Sequence, residues 1–91
     1  MNQKRIKGKV TGKVQGVFYR ATAKSLADDL GLTGWIKNSP DGSVEFECQG
    51  TEKEIEEFIK WANSGPDWGR VDHLESAEIP TTDEFEFEIV R

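Results

Sequence analysis

The sequence predicts an α+β fold, with two helices packed on one face of a four- to five-stranded, mainly antiparallel sheet. Three observations carry this. Apolar and polar residues alternate in several short stretches, the period of strands with one covered face. Two other stretches repeat their apolar residues at helical spacing, each with a start or stop signal. The resulting order is strand, helix, strand, strand, helix, strand, with one extra strand near the end. With 91 residues, 35% of them hydrophobic, the chain can build one small core, so a single domain over 1–91 is expected.

The first strand is read over 5–14, where Ile6, Gly8, Val10, Gly12 and Val14 alternate with Lys7, Lys9, Thr11 and Lys13. Its glycines allow something to pack closely. The first helix is read over 20–30. Ala21, Ala23 and Ala27 favour it, and Thr22, Leu26 and Leu30 recur every four residues on one stripe with Ala23 and Ala27. Gly31 is placed to end it in a left-handed cap. A second strand covers 33–38, followed by Ser39-Pro40-Asp41-Gly42, in which proline presets φ and glycine accepts positive φ. Val44, Phe46 and Cys48 then alternate with Glu45, Glu47 and Gln49 in a third strand that closes a hairpin. Thr51-Glu52-Lys53-Glu54 matches a capping box, and Ile55, Phe58, Ile59 and Ala62 follow at helical spacing, giving a second helix over 52–63. Residues 70–79 and 85–90 both have strand character, with Val71, the Leu74–Ile79 region, Phe85, Phe87 and Ile89 as apolar positions. The sequence does not say which is the main fourth strand.

One apolar face per strand and one apolar stripe per helix are satisfied together by the ferredoxin-like βαββαβ sandwich. There the first and second strands run parallel, with the third between them. Their C-terminal ends then share one edge of the sheet, about 10 Å apart. The loop Val14–Arg20 leaves the sheet at that edge, and Asn38 ends the second strand there. An arginine and an asparagine can both reach a tetrahedral anion between them. The start of the first helix adds unpaired N–H groups and a positive dipole end. Gly16 removes a side chain where backbone curves, and Val17, Phe18 and Tyr19 can pack inward to stiffen the loop. An anion site is one reading of these residues. The other is a plain strand–helix turn with a surface arginine.

Charge narrows the choice. All 17 acidic residues lie from Asp28 onward, while Lys4, Arg5, Lys7, Lys9, Lys13, Arg20 and Lys24 precede it. A net charge of −5 argues against general nucleic-acid binding, which rests on many phosphate contacts. A basic N-terminal third suits a small anion held at one point. The competing reading makes the lysines the wet face of an edge strand. No apolar run is long enough for a membrane span, and the first ten residues do not read as a signal peptide. The lone Cys48 cannot form an internal disulfide, so a cytoplasmic protein with a reduced thiol is expected.

The segment V-T-G-K-V-Q-G-V-F-Y-R (Val10–Arg20) resembles the first signature of the acylphosphatase family. G-W-I-K-N-S-P-D-G-S-V (Gly34–Val44), followed by Gly50, resembles the second. Ile36 departs from the family's usual valine, alanine or cysteine by at least one extra methylene. The resemblance covers essentially the whole chain and implies hydrolysis of acyl phosphates to a carboxylate and inorganic phosphate. By position it implies that Arg20 holds the phosphate and Asn38 orients the attacking water. It makes the backbone amides of Gln15, Gly16, Val17, Phe18, Tyr19 and Arg20 the phosphate cradle. It also implies no metal, no other cofactor and no phosphoenzyme. The implied partners are a small acyl phosphate and inorganic phosphate, with no nucleic acid and no membrane, and monomer is the default for a small polar domain.

Other residues read blandly. His73 lacks triad or ligand partners, Cys48 reads as a buried inert thiol, and Glu52, Glu54, Glu56 and Glu57 read as a solvated helix face. Trp35, Trp61 and Trp68 read as core or rim packing, and Glu45 and Glu47 as the solvent face of the third strand. Two other classes remain open: a non-catalytic anion- or protein-binding relative, and a ferredoxin-like RNA-binding module, which would stack bases on strand aromatics. Acylphosphatase-like modules also occur in large hydrogenase-maturation proteins, whereas a 91-residue chain is expected to be the stand-alone enzyme.

Overall fold

The computed structural model describes residues 2–90. Its elements are β1 (Lys4–Lys13), α1 (Tyr19–Leu30), β2 (Thr33–Asn38), β3 (Val44–Gly50), α2 (Glu52–Ser64), β4 (Arg70–Ile79) and β5 (Phe87–Val90). The five strands form one sheet in the order β4-β1-β3-β2-β5. β3 is antiparallel to both β1 and β2, which makes those two parallel, and only the β2–β5 pair is parallel by direct hydrogen bonding.

Sequence chemistry explains the ends of the helices. Gly31 takes the left-handed conformation (φ 74°) and returns its N–H to Asp28, closing α1. Thr51 and Glu54 form both halves of a capping box at the start of α2. The core lies between the sheet and the two helices: Val10, Val14, Ile36, Val44, Phe46, Cys48 and Phe87 face Ala23, Ala27, Ile55, Phe58 and Ala62. Phe58 meets Phe46 edge-on at 5.2 Å and Phe87 at 5.9 Å between ring centroids. Ile36 is fully buried, paired across the ladder with Phe46 and Ile89.

The C-terminal ambiguity resolves in favour of β4, whose ten residues pair antiparallel with β1. β5 is a four-residue strand on the opposite edge. Phe85 is not a core position: it precedes β5 and is 95% exposed. β1 is also not an edge strand, since it lies between β4 and β3. Lys7 and Lys9 stand on the sheet face opposite Gly8 and Val10, which face the core, but they guard no edge.

Arg5 departs furthest from a solvated strand face. It is 1% exposed, donates from Nε to Glu47 at 2.8 Å, and pairs with Glu84. Gln49 beside it exchanges two 2.9 Å hydrogen bonds with the backbone of Thr82. The segment before β5 is thereby strapped over one end of the open face. Glu47 is not merely a solvated residue of β3; it neutralises a buried guanidinium, which would be costly unpaired.

Candidate active site

The loop from Val14 to Phe18 joins β1 to α1, and its shape follows from two residues with positive φ. Gly16 has φ 71° and Phe18 φ 64°, while Val17 and Tyr19 do not enter that region. Alternation of this kind turns successive N–H groups toward one side, a shape that suits an anion. A Cβ on Gly16 would meet nothing within 4 Å, so φ, not crowding, calls for glycine there. Phe18 has no such freedom, and a left-handed phenylalanine costs about 1–3 kcal/mol.

The apolar residues of the loop divide. Val17 and Tyr19 are buried, and the Tyr19 hydroxyl donates to the Ala62 carbonyl at 2.8 Å. That burial raises the phenol pKa above its ordinary value. Phe18 does not pack inward as expected from the sequence; it is 72% exposed. It is also the N-cap residue of α1, and no side chain caps that helix start. The contrast with α2 is direct, because there Thr51 and Glu54 satisfy the first turn. The start of α1 keeps its N–H groups and its dipole end available.

A hollow of about 350 Å³ lies at this start, lined by Val14, Gly16, Phe18, Tyr19, Arg20, Ala21 and Ile89. None of the lining residues carries a carboxylate. Arg20 is half-buried, and its guanidinium makes no hydrogen bond or ion pair with another side chain or carbonyl among the described residues. Arg5 and Arg70 are both paired with carboxylates, Arg70 with Asp72 at 2.7 Å. Lys24, one turn beyond Arg20, is engaged with Asp28 and with the Phe87 carbonyl at 2.8 Å, which ties α1 to β5.

Asn38 ends β2 opposite Val44 of β3. It does not line the hollow that holds Arg20. Two features connect them. Ile89, in the hollow wall, pairs with Ile36, two residues before Asn38. Gln15 donates both amide hydrogens across to the turn after Asn38, to the Ser39 carbonyl at 2.7 Å and the Ser43 carbonyl at 2.8 Å. Among the described residues, Asn38 Oδ1 is the one buried side-chain oxygen or nitrogen with no partner. An orphaned acceptor costs about 1–3 kcal/mol, and a water O–H would satisfy it. Among those residues, no group of three or more His, Cys, Asp or Glu is arranged to hold a metal ion.

The side-chain role of Gln15 was not visible from the sequence, which assigned it a backbone amide only. Its two-donor amide, at the edge shared with the β2–β3 hairpin, is the available signal. Ile89 reads as a strand residue, and nothing local in the sequence places it beside Arg20. The remaining candidates are quiet. Burial pushes the Cys48 thiol up to about 12, Arg5 opposing it, and His73 is exposed on β4. Trp68 lies outside the core and is 75% exposed.

The family model described as Acylphosphatase matches residues 6–89. An acylphosphatase from Methylococcus capsulatus is 44% identical over 89 residues, spanning 97% of either chain. The structure of an acylphosphatase from Coxiella burnetii superposes with a TM-score of 0.94 at 36% identity, over 98% of this chain and 94% of that one. A structure of full-length HypF in a phosphate- and nucleotide-bound form gives a TM-score of 0.92 at 26% identity. It matches 99% of this chain but only 12% of its own length.

Proposed function

This chain belongs to the acylphosphatase family, and from that premise we propose how it hydrolyses the carboxyl–phosphate bond of acyl phosphates. The single observation that carries the site assignment is Arg20, unpaired among the described residues, in a hollow lined by no carboxylate at the uncapped start of α1. The amides of Gln15 to Arg20 and the Arg20 guanidinium bind the three terminal phosphate oxygens, the guanidinium as a planar fork. Asn38 Oδ1 accepts a hydrogen from a water molecule and aims its oxygen at phosphorus. The water oxygen bonds to phosphorus as the phosphorus–acyl oxygen bond breaks. The bonding pair leaves on the carboxylate, and a phosphate oxygen of the substrate takes the water's proton. Asn38 is not itself a base, since an amide accepts no proton at neutral pH.

So few groups suffice because an acyl phosphate already carries a good leaving group. Its loose transition state mainly needs positioning and charge stabilisation. The chemistry as drawn uses no metal or other cofactor. The single continuous core supports one domain, the lone buried thiol fits a reducing, cytoplasmic setting, and a monomer is the default for so small a polar domain. Among the described residues, no helix is long and apolar enough to cross a membrane.

The test is hydrolysis of acetyl phosphate and benzoyl phosphate by the purified chain, with and without a chelator. Release of inorganic phosphate at the same rate in both conditions is expected. No hydrolysis overturns the function, and a chelator-sensitive rate restored by a divalent ion overturns the metal-free mechanism.

A further inference from the structure

Phe18 faces two hollows. One is the hollow that holds Arg20; the other, of about 540 Å³, is lined by Phe18, Trp68 and Trp61. Only three large hydrophobic side chains are strongly exposed among the described residues, and Phe18 and Trp68 are two of them. Apolar rings left in water on both sides of one hollow point to something that covers them.

The second hollow is built onto the proposed phosphate loop. Its far wall is a turn in which the Gly69 N–H returns to the Pro66 carbonyl at 3.0 Å. That turn sits directly on the loop: a Cβ at Gly69 would stand 2.9 Å from the Lys13 carbonyl oxygen and 3.1 Å from Val17 Cγ2. A Cβ at Gly65 would stand 3.4 Å from the Tyr19 ring. Trp61 packs on Tyr19 with ring centroids 4.8 Å apart. Trp68 therefore stands on a segment whose position is set by the same loop that presents Arg20. The left-handed backbone of Phe18 turns its ring outward, to the boundary of the two hollows.

We propose that the hollow between Phe18 and Trp68 receives the acyl group of the substrate and selects neutral, apolar acyl groups, aromatic ones above all. The inference rests on the acyl phosphate reading of the adjoining site. A phosphate held at Arg20 leaves its acyl substituent to exit past Phe18, and an aromatic acyl group can stack between the two rings. Asp67 on the rim repels a second negative charge, so an acyl group ending in a carboxylate is disfavoured.

The test compares kcat/KM for benzoyl phosphate, acetyl phosphate and succinyl phosphate in the wild-type chain, Trp68→Ala and Trp68→Phe. Trp68 is exposed and outside the core, so both variants fold. The ratio of benzoyl to acetyl kcat/KM falls about five- to tenfold in Trp68→Ala, mainly through KM, and Trp68→Phe keeps most of it. Wild type prefers benzoyl to succinyl phosphate. An unaltered benzoyl-to-acetyl ratio in Trp68→Ala, or a wild-type preference for succinyl phosphate, overturns the acyl subsite while leaving the phosphate site standing. A wild-type chain that hydrolyses none of the three overturns the reading beneath both.

Discussion

Two arginines of the basic N-terminal third end in opposite states. Arg5, inside a strand, is buried between Glu47 and Glu84 and is structural. Arg20, in the first turn of α1, pairs with no side chain or carbonyl among the described residues and lines a hollow. Periodicity cannot separate them, because Arg5 is covered by a segment almost eighty residues away in the chain. Asn38 carries the complementary signal, an acceptor left over while the other buried side-chain polar atoms of the described residues are satisfied. If that acceptor orients water, Asn38→Ala lowers kcat by about 10²–10³-fold, the scale for losing one preorganised polar contact in a transition state, with KM little changed. Steady-state kinetics on acetyl phosphate reads this directly. A variant whose loss lies wholly in KM would make Asn38 a substrate-binding group instead.

At the scale of elements, most of the architecture was legible. The Pro40-Gly42 turn, the capping box at Thr51 and the Gly31 cap each carry their own chemistry, so their positions follow from adjacent residues. The parallel relation of β1 and β2 followed from packing rules, and it put the Val14–Arg20 loop and Asn38 at one edge. What was not legible depends on distant partners. β1 has the lysine-rich pattern of an edge strand, yet β4 covers its outer side because the connection after α2 returns there. Phe85 and Phe87 continue one alternation, but only Phe87 enters the core, since the strand begins at Phe87 and the preceding segment is held over the open face through Thr82 and Glu84. Phe18 read as a loop-stiffening residue. Its outward ring follows from a backbone sign that no side-chain pattern encodes.

At the scale of the whole molecule, charge and burial set a pH window. Burial raises the Cys48 pKa from 9.0 to about 12 and raises that of Tyr19 as well. A group with a raised folded pKa contributes fully below its unfolded value and loses that contribution as pH rises toward the folded one. Stability therefore declines above about pH 9. On the acid side, hydrogen bonds from Lys9 and Ser43 lower the pKa of Asp41, and Arg70 lowers that of Asp72. Their contributions are present above the ordinary carboxylate value of 3.8 and are lost as pH falls through the lowered values. Glu88, raised chiefly by its hydrogen bond and repulsion with Glu86, works the other way and gives a small gain on protonation. Thermal unfolding followed by circular dichroism should show Tm falling at both extremes, with both falls outside the neutral range. A Tm that rises between about pH 9 and 11 would contradict the burial of Cys48 and Tyr19.

The central claim is that Arg20 binds phosphate while Asn38 acts on water, and a calorimetric titration of inorganic phosphate into wild type, Arg20→Gln and Asn38→Ala separates the two most directly. Arg20→Gln should weaken phosphate binding by roughly tenfold or more, as expected for losing charge-assisted hydrogen bonds, while its circular dichroism stays that of the folded chain. Asn38→Ala should bind phosphate within about twofold of wild type. Equal phosphate affinity in Arg20→Gln and wild type, or equal losses in the two variants, would contradict the account.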